Sequence, residues 1–140
     1  MIYGSGLKND FIQINLWPPV RDEKKSLSGN IPSPRKYLNG WIYDNNFIIF
    51  GGESKESSND LYSINLSSYK SKRINISTNI PSKRCTYSSF QKDSNVVIFG
   101  GFGGFGEKRL NDFYLLSLIS FQFNQLFLTG NIPTPRRFVY

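Results

Sequence analysis

The chain has 140 residues, with 17 lysines and arginines against 10 aspartates and glutamates, one cysteine and no histidine. The missing histidine excludes Ser-His-Asp and Cys-His catalysis within this segment and removes the commonest ligand for zinc and copper. A single cysteine excludes an internal disulfide and fits a reducing, cytoplasmic setting, while the net charge of +7 favours acidic peptides, phosphates or nucleic acid as partners.

The first ten residues lack a basic region followed by an apolar stretch, so no signal peptide is read there. No apolar run approaches the roughly eighteen residues of a membrane span. Residues 1–28 read as the end of a first, partial repeat. Asn9-Asp10-Phe11 through Leu16 is a third strand, with no glycine-pair strand ahead of it.

Residues 29–78 form a full unit. It opens on Ile31-Pro32-Ser33-Pro34-Arg35, with Lys36 following, and strands are expected at 37–43, 47–51, 61–66 and 72–76. Asp44-Asn45-Asn46 is a hairpin turn, because Asp and Asn tolerate the backbone that such turns require. The apolar strand Phe47-Ile48-Ile49-Phe50 ends on Gly51-Gly52, where the backbone must turn sharply or approach another segment closely. A polar loop then leads to Asn59-Asp60-Leu61.

Residues 79–129 repeat the same order. Ile80-Pro81-Ser82-Lys83-Arg84 opens the unit, Val96-Val97-Ile98-Phe99-Gly100-Gly101 follows, and Asn111-Asp112-Phe113 starts the third strand. Strands are expected at 86–91, 96–100, 113–118 and 122–128, with a turn at Asp93-Ser94-Asn95. Residues 130–140 begin the unit again, with Ile132-Pro133-Thr134-Pro135-Arg136 and then Arg137. The opening marker recurs at offsets of 49 and 52 residues. A period near fifty built from short strands means a propeller blade, and each blade needs neighbours to bury its faces.

The repeat resembles the Kelch family: a Pro-Arg start, an apolar run into Gly-Gly, a polar loop, then an Asn-Asp strand. Pro34-Arg35, Gly51-Gly52 and Asn59-Asp60-Leu61-Tyr62 carry the match, as do Gly100-Gly101, Asn111-Asp112-Phe113-Tyr114 and Pro135-Arg136. Lys83 replaces the proline before Arg84. The resemblance implies an all-β fold of antiparallel four-stranded blades in an incomplete ring of about three blades. The Trp that the family carries in the fourth strand is absent; Phe123 holds that place in the later repeat, and no clear counterpart follows Leu66.

Gly101-Phe102-Gly103-Gly104-Phe105-Gly106 fits a dinucleotide-binding pattern literally. It opens no helix, and no acid occurs from residue 113 to 140, so nucleotide binding is not expected. Cys85 and Tyr87 are suggestive of a copper oxidase cofactor, yet without histidine no copper site forms in this segment. Cys85 reads as a small buried residue near the axis. No cofactor, metal or catalytic residue is expected.

Asp10, Asp60 and Asp112 occupy one place in each repeat, as do Arg35, Arg84 and Arg136. They are expected to pair structurally, the aspartates also bonding loop amides. The function expected is a protein–protein interaction module, an adaptor or scaffold that binds a partner through its blade loops. Candidate partner residues are Lys36, Lys83 and Arg137, as an arc of charge around one mouth of the ring, together with Phe102, Phe105, Lys108 and Arg109. An acidic peptide fits the charge, nucleic acid is disfavoured, and the open blade edges invite self-association. The alternative is a fragment of a propeller enzyme whose catalytic residues lie outside this segment.

Overall fold

The computed structural model describes residues 2–3, 11–13, 23–103, 106 and 108–137, with side chains from Lys25 onward. Among them there is no helix. The strands in chain order are β1 (Ile2–Tyr3), β2 (Phe11–Gln13), β3 (Glu23–Lys25), β4 (Ser28–Gly29), β5 (Asn39–Tyr43), β6 (Asn46–Phe50) and β7 (Leu61–Asn65). They continue with β8 (Lys70–Ile74), β9 (Arg84–Cys85), β10 (Ser88–Lys92), β11 (Asn95–Gly103), β12 (Lys108–Ser117) and β13 (Phe123–Leu126). Three sheets result: β1-β2-β3, then β4-β8-β7-β6-β5, then β10-β11-β12-β13 with β9 on the end of β11. Each carries an antiparallel meander; only β4 runs parallel, beside β8. The fold is all-β, a run of antiparallel blades that does not close into a ring.

Local chemistry sets the first hairpin of each full blade. Asp44 and Asn45 take φ of 46° and 57°, the left-handed pair that matches strand twist, and Tyr43 then faces Asn46. In the second turn only Asp93 takes a positive φ, 53°, and Lys92 faces Asn95. Asn46 and Asn95 thus belong to the strands rather than to the turns.

The core lies between sheets. Trp41, Ile48, Phe50 and Leu61 from the second sheet meet Val96, Ile98, Tyr114, Leu116 and Phe123 from the third. The Phe50 ring lies 5.0 Å from that of Phe123 and 5.9 Å from that of Tyr87. On the other face of the second sheet, Phe47, Ile49, Tyr62 and Ile64 form a separate cluster with Leu27, Leu38, Leu66 and Tyr69 against it. Strand β6 is therefore apolar on both faces because both are covered.

The structure corrects the sequence reading in three places. A second strand does precede Asp10: β1 pairs with β2 through Tyr3↔Phe11, the register that Phe50↔Leu61 and Phe99↔Phe113 repeat in the full blades. Ile2-Tyr3 thus stands where Ile49-Phe50 stands, and the lack of a Gly-Gly pair after it in the sequence hid the strand. Next, β11 does not stop at Gly100. It passes a bulge between Phe99 and Gly101 and runs to Gly103, because 108–110 are there to pair with it. Finally, the fourth strand has a clear register. Leu116 faces Phe123, and Ile64 faces Ser71, so the counterpart of Phe123 is a buried serine.

Candidate functional site

The repeat markers converge at one end of each blade. Arg35 donates through Nε to the Ser33 carbonyl at 3.1 Å and through Nη2 to Ser33 Oγ at 3.0 Å. Its Nη1 reaches the Gly51 carbonyl at 3.0 Å, and both terminal nitrogens hold the Asp60 carboxylate. Arg84 repeats every contact: Ser82 carbonyl at 3.0 Å, Ser82 Oγ at 3.1 Å, Gly100 carbonyl at 3.1 Å, and Asp112 at 2.7 and 2.8 Å. The guanidinium of Arg35 lies over the Tyr62 ring at 5.6 Å, and that of Arg84 over Tyr114 at 5.3 Å. A buried charge is tolerated only when paired and fully hydrogen-bonded, and both arginines meet that condition.

The aspartates are therefore committed. Burial raises the Asp60 pKa, but hydrogen bonds from Arg35 and Ser58 and the charges of Arg35 and Arg73 outweigh it, so the carboxyl is held below its ordinary value. It stays ionised, and Arg35 and Ser58 occupy it. Asp60 borders a cleft of about 310 Å³ with Asn59, Arg73, Ile74 and Ile80, but offers it no free base. Asp10 lies outside the described residues.

The glycine pairs receive the next repeat. Gly51 has φ of 64°, and a Cβ there would sit 2.6 Å from the Arg84 carbonyl oxygen. A Cβ on Gly100, φ 60°, would sit 3.1 Å from the Arg136 carbonyl oxygen of the next repeat, whereas one on Gly101 would meet the Cys85 carbonyl oxygen of its own repeat at 2.8 Å. Across this close approach the Arg84 amide donates to the Ser58 carbonyl at 2.8 Å, and the Gly52 amide donates to the Arg84 carbonyl at 2.9 Å. Arg136 repeats the pair with Leu110 and Gly101, both at 3.0 Å.

Two loops crown this end. Residues 53–58 are flanked by Lys36, whose backbone exchanges two 2.9 Å hydrogen bonds with Glu53, and by Lys83, whose Nζ lies 3.7 Å from Glu56. Lys36 Nζ also lies 4.8 Å over the Tyr37 ring. The second loop is shorter than its sequence implies. Lys108 and Arg109 sit on β12, exposed, opposite Gly103 and Phe102. Phe102 is half-buried, and the Arg137 guanidinium covers its ring at 5.2 Å. Phe105 lies outside the described residues.

Lys36, Lys83 and Arg137 are not equivalent positions. Lys36 and Arg137 follow the arginine of their repeat, whereas Lys83 precedes it. The middle repeat places Cys85 where the others have a cation, and Cys85 is buried. Its thiol lies 3.8 Å from Glu53 Oε2 and accepts from Ser57 Oγ at 3.7 Å. Burial raises the thiol pKa, and Glu53 raises it further against the opposing hydrogen bond of Ser57. A protonated, enclosed thiol is a poor nucleophile. Tyr87 is likewise occupied, donating from its hydroxyl to the Phe50 carbonyl at 2.8 Å while burial pushes its pKa up. Sequence reasoning missed Glu53 and Ser57; the signal was the spacing, since Glu53 stands to Lys36 as Phe102 stands to Cys85.

Residues 7–139 match the family described as the KLHDC2/KLHL20/DRC7 Kelch-repeats domain. A comparison with curated proteins finds no match. The match spans nearly the whole chain, and the chain belongs to the Kelch-repeat family, whose repeats are protein-interaction modules in general.

Proposed function

We propose that this chain is the platform of an adaptor or scaffold, acting in the cytoplasm without catalysis, and that it binds a protein partner at the loop end of its blades. One observation carries this reading: identical arginine–aspartate clamps hold the ends of both full blades, while the two loops set on those clamps differ in length and chemistry. A rigid repeated frame under variable loops is the arrangement that recognition surfaces use. The described loop end presents Lys36, Lys83, Lys108, Arg109 and Arg137, with Phe102 beneath Arg137. Arginine and a half-buried aromatic are suited to anchor a partner, and the excess of cations fits an acidic peptide.

Charge reversal tests it. The double variant Lys108→Glu/Arg109→Glu changes two exposed side chains that no clamp uses. Binding of a fluorescent acidic peptide to the wild type should weaken with added salt and should fall about tenfold or more in this variant, with its melting temperature unchanged. Equal binding by both proteins would sink the reading.

A further inference from the structure

The two full sheets end on outer strands of opposite character. Strand β8 reads Lys70-Ser71-Lys72-Arg73-Ile74, and β13 reads Phe123-Asn124-Gln125-Leu126. The registers Ile64↔Ser71 and Leu116↔Phe123 make Ser71 equivalent to Phe123, Lys72 to Asn124 and Arg73 to Gln125. Lys72 and Arg73 are exposed although both faces of their sheet carry buried clusters, so these two positions stand on the outer rim of a blade rather than on a face. Asn124 and Gln125 are exposed on the same rim. From Phe121 to Thr129 the chain has no charge, no proline and no glycine, and Phe127, just past the strand, is 84% exposed. Edge strands are ordinarily protected by lysines, by prolines or by a covering segment. Strand β8 has its cations, and β13 has neither charge nor proline.

The covering segment differs as well. Strand β4 runs beside β8, with the Ser28 amide donating to the Tyr69 carbonyl at 3.1 Å and the Asn30 amide to the Ser71 carbonyl at 2.9 Å. Gly29 allows this approach: its φ is 81°, and a Cβ there would collide with the Ser71 carbonyl oxygen. In the next repeat Thr78 stands at the same distance ahead of Arg84 as Gly29 does ahead of Arg35. A β-branched residue does not take that backbone, and the positive φ falls on Asn79 instead, at 55°. Among the described residues no strand pairs with the outer edge of β13. The Ser117 amide donates to the Gln122 carbonyl at 3.0 Å. Antiparallel alternation then turns the backbone groups of Asn124 and Leu126 toward β12 and those of Phe123 and Gln125 outward. The Phe123 carbonyl thus occupies the place of the Ser71 carbonyl that β4 satisfies in the second sheet.

We propose that two copies of this chain pair through β13, edge to edge and antiparallel about a two-fold axis, so that their third sheets become one continuous sheet. The register that uses the outward groups of both Phe123 and Gln125 sets Phe123 opposite the partner's Gln125 and passes the axis through Asn124. Asn124 then faces its own copy, and two side-chain amides, each a donor and an acceptor, meet across the axis. The same pairing of β8 would set Lys72 against Lys72, a like-charge contact that disfavours it. A second copy is the occupant that fits because this rim is neutral and complementary to itself. An acidic or basic segment would find no opposite charge on Asn124 or Gln125. A two-fold pairing uses up the β13 edge of each copy, so it closes at two chains rather than running on as a filament. A single strand pair is a small interface, so the dimer forms reversibly as concentration rises. None of the loop-end cations takes part in it.

Sedimentation velocity of the 140-residue chain over a wide concentration range tests this directly. The expected behaviour is a monomer–dimer equilibrium that approaches twice the 16.1 kDa chain mass. The double variant Asn124→Lys/Gln125→Arg gives β13 the side chains of β8. Both positions are exposed, so the circular dichroism of the monomer should persist while the dimer weakens about tenfold or more. Gln125→Pro removes an outward N–H and none that faces β12, and should weaken the dimer in the same way. Phe90→Glu, on the strand at the opposite edge of the same sheet, should leave the dimer unchanged. In the wild type, hydrogen exchange at the Phe123 and Gln125 amides should slow as the dimer fills. A monomer at every concentration, oligomers beyond two chains, a dimer lost in Phe90→Glu but indifferent to the β13 variants, or exchange at those two amides that ignores concentration would overturn the proposal.

Discussion

The blade built on β5–β8 and the blade built on β10–β13 share strand order, registers and an arginine clamp, yet they are buried very differently. Both faces of the first are covered, so Ile48, Ile49 and Phe50 on its second strand are all buried. In the second, Val96 and Ile98 are buried while Val97 and Phe99, which alternate with them, are only partly so. The residues are alike in kind; what differs is whether a sheet lies in front of them. A blade of this repeat is thus a half-built core, and the hydrophobic contribution of a given position depends on its neighbour as much as on its side chain.

Equivalent truncations offer the sharpest way to break this comparison. Phe50→Ala should cost about 3–5 kcal/mol of unfolding free energy, the range for removing a buried aromatic ring. Phe99→Ala, measured the same way by denaturant titration, should cost clearly less; equal losses would mean the open face is as well packed as the covered one. The clamps come next. Asp60→Ala and Asp112→Ala each strand a buried guanidinium and should cost about 3 kcal/mol or more. Arg136→Ala, whose side chain is exposed, should change the unfolding free energy by no more than about 0.5 kcal/mol.

Acid sharpens the contrast between a clamped and an ordinary carboxylate. The folded pKa of Asp60 lies below its unfolded value, so its contribution is fully present above about pH 4 and is lost as pH falls through the folded pKa. The stability gap between wild type and Asp60→Asn should therefore be wide at neutral pH and should narrow below that pH. A gap that stays constant down to the lowest pH at which both chains fold would refute the clamp's electrostatic role. The smallest effect concerns the fourth strands. Ser71 stands where the other blade has Phe123, and its buried hydroxyl has no hydrogen-bond partner among the described residues. Ser71→Ala should raise stability by up to about 1 kcal/mol, because it removes a desolvated polar atom; a loss would show that the hydroxyl is satisfied in solution.

Much of this was legible in the residues. The period near fifty matches the two full sheets, and the strands expected within them fall within a few residues of the observed ones, except for the long arms of β11 and β12; β1, β4 and β9 were not expected. The Asp-Arg pairing was readable because each member recurs once per unit, which is the mark of a frame rather than of a catalytic pair. The first sheet was misread because no Gly-Gly pair follows Ile2-Tyr3 in the sequence, whereas Gly51-Gly52 and Gly100-Gly101 follow the second strands of the full blades. The long arms of β11 and β12 were hidden because glycines read as loop until 108–110 are seen pairing across from them. The basic residues looked periodic in sequence, but a one-residue offset puts Lys83 on the other side of its arginine.

By itself the sequence determined the repeat, the all-β blades, the glycine and arginine positions at their ends, and the exclusion of histidine chemistry. Those are local properties: turn residues, strand alternation and marker spacing act within one unit. Only the tertiary structure decided which face of each blade is covered, which carboxylate each arginine holds, and that Cys85 is enclosed by Glu53 and Ser57. These depend on what one unit lays against the next, and a buried surface or a satisfied charge exists only once that neighbour is in place.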